Sequence, residues 1–214
     1  MLKARLGEGP LRILCLGAHS DDLEIGCGGS LLRLLGERPG SSVHWVVFAA
    51  GPEREREARA SAADVLAGAA QQTVVVEAFR ESYFPYVGAA IKDRFERLKR
   101  EVEPDLVFTH RRADEHQDHR LVAELTWNSF RDHLIAEYEI PKYEGDLGAP
   151  NLFIPLAEAL ARRKVELILR HFKSQAARRW FRARTFEAVM SLRGIECSAP
   201  DGWAEAFYVR KLLV

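Results

Sequence analysis

The sequence predicts an α/β fold, a mostly parallel sheet packed between two layers of helices. Three observations carry that expectation. Four short runs, residues 11–18, 42–49, 73–78 and 105–109, are apolar almost throughout, as strands buried on both faces are. Each is followed by a helix-length segment before the next run begins, which is the rhythm of parallel strand–helix units. Polar side chains able to bind metal gather just past the first and fourth runs, where an open parallel sheet keeps its ligand crevice.

Taken in order, residues 11–18 form the first strand. Ile25, Leu31, Leu32 and Leu35 then make one helical stripe, broken at Arg38-Pro39-Gly40. Ser42–Ala49 is the second strand. In the helix from Glu53 to Ala67, Glu and Arg interleave, a pattern that also suits a solvated face with local ion pairs. Thr73–Ala78 is the third strand, and Arg80–Pro85 a loop. Val87, Ile91, Phe95, Leu98 and Val102 give a helix over 87–102, stopped by Pro104. Asp105–Thr109 is the fourth strand and Gln117–Asp132 the next helix. A fifth strand over 134–140 ends at Pro141, and residues 142–151 form a loop. A short strand over 152–155, helices near 156–172 and 176–193, and a closing strand over 203–214 complete the chain. In the order 3-2-1-4-5, strands one and four are neighbours whose connections leave to opposite faces. Both polar clusters then share one crevice.

The bulk composition is compatible with this reading. The 214 residues, 47% of them hydrophobic, suit one domain spanning 1–214. A formal net charge of +0 gives no field to steer the chain to nucleic acid or an anionic membrane. Cys15, Cys27 and Cys197 are too scattered for a disulfide framework or a four-cysteine zinc site. No segment reads as a membrane span or a signal peptide, so a cytoplasmic location is expected. A homo-oligomer is compatible with the composition.

His19, Asp21 and Asp22 end the first strand, and His110 to His119 holds three histidines and three carboxylates. Such density after buried strands makes poor core and good metal chemistry. Gly26-Cys27-Gly28-Gly29 follows too late to cradle a pyrophosphate, which Asp21 and Asp22 would repel. A two-metal phosphoester hydrolase remains an alternative, although it normally requires bridging carboxylates and more ligands.

Ala18-His19-Ser20-Asp21-Asp22 resembles the A-H-P-D-D motif of the PIG-L/LmbE-like zinc-dependent de-N-acetylases, and His116-Gln117-Asp118-His119 resembles that family's H-x-D-H motif. The similarity extends through Lys173-Ser174-Gln175 and Glu205-Ala206-Phe207. The resemblance implies a Rossmann-like three-layer sandwich and one zinc per chain, held by His19, Asp22 and His119. It makes Asp21 the general base, His116 the acid and oxyanion stabiliser, and Asp118 the partner that orients His116. The implied substrate is a small molecule, an N-acetylated amino sugar or its conjugate. Ser20 departs from the family's proline, and these N/O ligands would also accept other divalent metals. A catalytically silent sugar-binding member of the fold would need neither Asp21 nor His116. Arg54, Arg56 and Arg59, just after strand two, and Glu81, after strand three, are candidate substrate contacts. Tyr83, Phe84 and Trp203 are candidates for stacking on a sugar ring, and Arg111 and Arg112 for binding anions.

Overall fold

The strand that ends at the first polar cluster lies inside the sheet. β1 (Arg12–His19) is buried at every position after Arg12, flanked by β2 (Ser42–Ala49) on one side and β4 (Leu106–His110) on the other. The computed structural model describes residue 7 and residues 9–212, which form one seven-stranded sheet. Its order is β3-β2-β1-β4-β5-β7-β6, with β3 at Gln71–Val76, β5 at Leu134–Tyr138, β6 at Leu152–Leu156 and β7 at Trp203–Tyr208. The first five positions reproduce the expected 3-2-1-4-5 order and are parallel, whereas β7 runs antiparallel to both β5 and β6.

Alternate residues of β1 feed two cores, because successive strand side chains face opposite sides. Ile13 and Cys15 join Trp45, Phe108 and Phe207 beneath α1 (Asp22–Glu37), α2 (Pro52–Val65), α5 (Glu158–His171) and α6 (Ala183–Cys197). Leu14 and Leu16 join Phe48, Phe95 and Val122 beneath α3 (Gly88–Glu101) and α4 (Gln117–Ser129). The sheet is therefore covered on both faces.

Several boundaries differ from the sequence expectation. The last helix starts at Ala183 rather than near 176, because Arg182 folds the preceding segment into a turn by donating to the carbonyls of Ala176, Arg178 and Phe181. The closing strand ends at Tyr208, and Leu213 and Val214 lie outside the described residues.

Helix α1 carries the first polar cluster and is fixed by close contacts. A Cβ on Gly26 would lie 2.3 Å from the Tyr138 ring, and one on Gly29 would lie 2.5 Å from Leu156. These glycines serve backbone approach, not phosphate binding. In the first turn of α1, Ile25 O accepts from Lys164 Nζ at 2.6 Å, and Lys164 also donates to Glu205 at 2.5 Å. Glu205 in turn accepts from the N–H groups of Gly29 and Ser30. This buried pair ties α1 to α5 and β7.

Candidate metal centre and active site

Adjacent parallel strands deliver both clusters to the same edge. β1 ends at His19, and α1 begins at Asp22, so the chain turns sharply and Asp22 Oδ2 accepts the backbone N–H of His19 at 2.6 Å. β4 ends at His110, and α4 begins after His116, whose Nδ1 caps the helix by accepting from Asp118 N at 3.2 Å. His119 follows one helical turn after His116, on the same face.

Three of these groups form a compact donor set. His19 Nδ1 lies 3.1 Å from His119 Nε2, and Asp22 Oδ2 lies 3.4 Å from the first and 3.6 Å from the second. Ligands about 2.0–2.1 Å from a tetrahedral ion stand about 3.3–3.4 Å apart. The far nitrogen of each imidazole meets a carboxylate: His19 Nε2 is 3.1 Å from Asp118 Oδ2, and His119 Nδ1 is 3.0 Å from Asp114 Oδ2. A carboxylate holds the imidazole proton on the nitrogen that faces it. The two facing nitrogens therefore present lone pairs to each other beside an anionic oxygen, an arrangement that requires positive charge between them. Neutral imidazoles and one carboxylate suit a divalent cation.

Without a cation the cluster can supply that charge only as a proton. Burial alone would lower the pKa of His19, but Asp22 and Asp118 outweigh it and raise it to about 10. His119 is pushed down to about 3 by burial and then by His110. Burial opposes ionisation of Asp22, yet the surrounding imidazoles, led by His119, hold its carboxyl well below the usual range.

The sequence reading missed three contributors to this centre. Asp114 orients His119 as described, and its other oxygen accepts the His116 N–H at 2.8 Å. Lys142, in the loop after β5, donates to the Asp114 carboxylate at 3.0 Å and to Asp146 at 2.6 Å. His110 stacks on His119 with ring centroids 3.9 Å apart, and its Nε2 lies 3.1 Å from Asp22 Oδ2. Asp22, His110 and His119 thus form a second candidate trio, and His19, His116 and His119 a third. Asp114 and His110 were visible as members of the dense cluster, whereas nothing local distinguishes Lys142.

The expected role of Asp118 is corrected. Its carboxylate bonds to His19 and to the backbone N–H groups of Ser82 (2.6 Å) and Phe84 (3.1 Å), not to the His116 ring. Asp118 follows His116 by two residues, about 200° around a helix, and only its backbone N–H reaches the ring. The Ser82 bond helps hold that residue at φ 66°, a left-handed conformation costly for a side chain with a Cβ. His116 is lowered by burial and then by the charge of His19, which favours its neutral form.

Asp21 is 5% exposed, and its carboxylate accepts from Arg54 Nη2 at 2.9 Å. Burial raises its pKa to about 6, with Arg54 opposing and Asp22 adding to the rise. Arg54 also donates from Nε to Ser20 Oγ at 2.8 Å and from Nη1 to Glu81 at 3.0 Å. Arg54 and Glu81 thus reach the centre, joined to each other. Arg56 and Arg59 do not. Positions two and five residues on lie about 200° and 140° around a helix, and Arg59 instead bonds Glu55 and the Val74 carbonyl. Among the stacking candidates, Phe84 is fully buried with its ring 6.1 Å from that of His19, and Trp203 pairs with Leu156 in the sheet. Tyr83 remains 40% exposed, with the Arg80 guanidinium 3.5 Å over its ring. Arg111 is engaged by the Asp146 carbonyl and the Tyr208 ring, and Arg112 bonds Glu137 through its backbone N–H.

Comparison with known proteins places these features in context. The family model described as GlcNAc-PI de-N-acetylase, PIG-L, matches residues 14–130, more than half of the chain. No curated protein matches the sequence. Among solved structures, a conserved protein of Thermus thermophilus is similar with a TM-score of 0.75 and 18% identity over 95% of this chain and 96% of that one. The N,N'-diacetylchitobiose deacetylase of Pyrococcus horikoshii has a TM-score of 0.70 and 19% identity, covering 93% of this chain and 83% of its own. The 4-carboxy-2-hydroxymuconate hydratase of Pseudomonas putida has a TM-score of 0.75 and 17% identity, covering 95% and 98%. At these identities the likeness is one of fold, and that fold carries more than one reaction.

Proposed function

From the premise that this chain belongs to the PIG-L family, we propose that it is a zinc-dependent hydrolase removing the acetyl group from an N-acetylated amino sugar or its conjugate. The observation that carries the reading is the pair of facing imidazole nitrogens 3.1 Å apart, each backed by a carboxylate and both beside Asp22. His19, Asp22 and His119 are the proposed ligands of one zinc per chain. Bound there, zinc would act as a Lewis acid on the amide carbonyl and lower the pKa of water toward neutrality.

The chain's own groups supply the remaining chemistry. Asp21 takes the proton of the attacking water. A carboxylate whose pKa burial raises to about 6 is ionised at pH 7 yet basic enough to accept that proton. Because His116 Nδ1 is occupied by the Asp118 N–H, its neutral ring carries its proton on Nε2. That N–H stabilises charge developing on the carbonyl oxygen, so His116 acts as a neutral donor rather than an imidazolium. The proton held by Asp21 is then available to the departing amine.

The substrate is a small molecule, and no helix among the described residues is long and apolar enough to cross a membrane. The experiment that tests the proposal is a screen of N-acetyl amino sugars, with their nucleotide and lipid conjugates, for zinc-dependent release of acetate. Acetate release that survives complete metal removal, or none from any member of the panel, would reject it.

A further inference from the structure

Arg54 meets three partners with three different nitrogens: Nε with Ser20 Oγ at 2.8 Å, Nη2 with Asp21 Oδ1 at 2.9 Å and Nη1 with Glu81 Oε2 at 3.0 Å. The guanidinium is planar, so three such contacts fix both its position and its plane. Ser20 is fully buried, and Arg54 is the group that donates to its hydroxyl. Among the described residues no other side chain donates to the Asp21 carboxylate. Ser20 stands where the resemblance led us to expect proline, which has no hydroxyl for Arg54 to meet. The departure therefore introduces an anchor for the arginine beside Asp21.

We propose that Ser20 and Arg54 are positioning residues, which together hold Asp21 Oδ1 and leave Oδ2 as the oxygen that takes the proton; this rests on the reading of Asp21 as base. Helix α2 enters at Gly51-Pro52, so Arg54 lies in its first turn and approaches Asp21 from β2's side of the crevice. The side chain of Arg54 is 19% exposed, against 53% for Glu81. Glu81 is thus the outer member of the clamp and Ser20 the inner one. A substrate hydroxyl can reach Glu81 without disturbing the bonds to Ser20 and Asp21. Arg54 accordingly serves the base, in place of the direct substrate contact expected from its place after strand two.

Steady-state kinetics and a double-mutant cycle test this. Ser20→Ala deletes one hydroxyl, leaving Asp21 and the proposed metal ligands in place. It is expected to lower kcat about tenfold, with KM within about twofold and metal content unchanged, since small misplacements of a catalytic group cost rate more than binding. Arg54→Lys cannot fork between the two partners and is expected to lower kcat further. Ser20→Ala/Arg54→Lys should be no slower than Arg54→Lys alone, because the Ser20 hydroxyl acts on Asp21 only through the guanidinium that Arg54→Lys removes. The same cycle read by urea unfolding of metal-free protein should also be non-additive, which reports the bond without any turnover. A raised KM with unchanged kcat in Ser20→Ala, or additive effects in either cycle, overturns the proposal. A wild-type protein that releases no acetate overturns the reaction reading and, with it, the catalytic role of the clamp. An active wild type with a fully active Ser20→Ala overturns the clamp alone.

Discussion

Asp118→Asn distinguishes a carboxylate that serves His19 from one that serves His116. Asp118 is fully buried and accepts three donors: Oδ2 takes His19 Nε2 at 3.1 Å and Ser82 N at 2.6 Å, and Oδ1 takes Phe84 N at 3.1 Å. Asparagine offers one oxygen. Placed at Oδ2, it satisfies His19 and Ser82 but turns its amide nitrogen toward the Phe84 N–H. A buried donor left unsatisfied costs about 1–3 kcal/mol, so metal-free protein should lose about 2–4 °C in Tm for each kcal/mol. His19 also exchanges a charged acceptor for a neutral one, a bond roughly half as strong. Loss of such a ligand-orienting partner typically weakens metal binding about 10–100-fold, or about 1.4–2.7 kcal/mol. Chelator competition measures the affinity, thermal unfolding of metal-free protein measures the stability, and kinetics at saturating metal isolate the chemical step. The expectation is weaker zinc binding, a lower Tm and a kcat largely restored once the site is saturated. Unchanged affinity with a kcat that stays low at saturating metal would mean that Asp118 acts on His116, and the geometric reasoning would be refuted.

Three further outcomes are expected. Asp21→Asn should retain metal and fold but lose about 10²–10⁴ in kcat; in wild type, kcat/KM should fall on the acid side as Asp21 protonates, at or below about pH 6 because a bound cation lowers the limb further, and this limb should vanish in the variant. His116→Ala should reduce kcat by about 10²–10³ with metal content intact, whereas loss of the metal, measured by elemental analysis, would make His116 a ligand. Glu24 is buried with neither oxygen hydrogen-bonded, and burial raises its pKa from 4.5 to about 8, with the nearby Ser61 hydroxyl opposing part of the rise. Between those values the unfolded chain ionises while the folded chain stays protonated, so this group's contribution to stability falls as pH rises, by about 1.4 kcal/mol per pH unit. Urea unfolding at pH 5, 6.5 and 8 should show Glu24→Gln gaining steadily on wild type, and parallel curves would contradict the assignment.

The sequence by itself determined the strand–helix order and the neighbouring placement of β1 and β4. Unbroken apolar runs specify strands buried on both faces, and right-handed crossovers leave few ways to order them. It also singled out the two clusters, since histidines and carboxylates packed at strand ends have few structural uses. What it could not decide was which groups within a cluster touch. Asp118 follows His116 by two residues, yet its carboxylate turns to His19, ninety-nine positions away, because α4 presents successive side chains about 100° apart. Arg54, Arg56 and Arg59 look equivalent along the chain, and the same helical rotation leaves Arg54 as the one bonded to Asp21. Lys142 reaches Asp114 from a loop with no local signature. The antiparallel entry of β7 between β5 and β6 likewise depends on long connections that carry no directional signal. Local pattern fixes what an element is and where it ends; the direction in which a polar side chain finds its partner is set by how the finished elements pack.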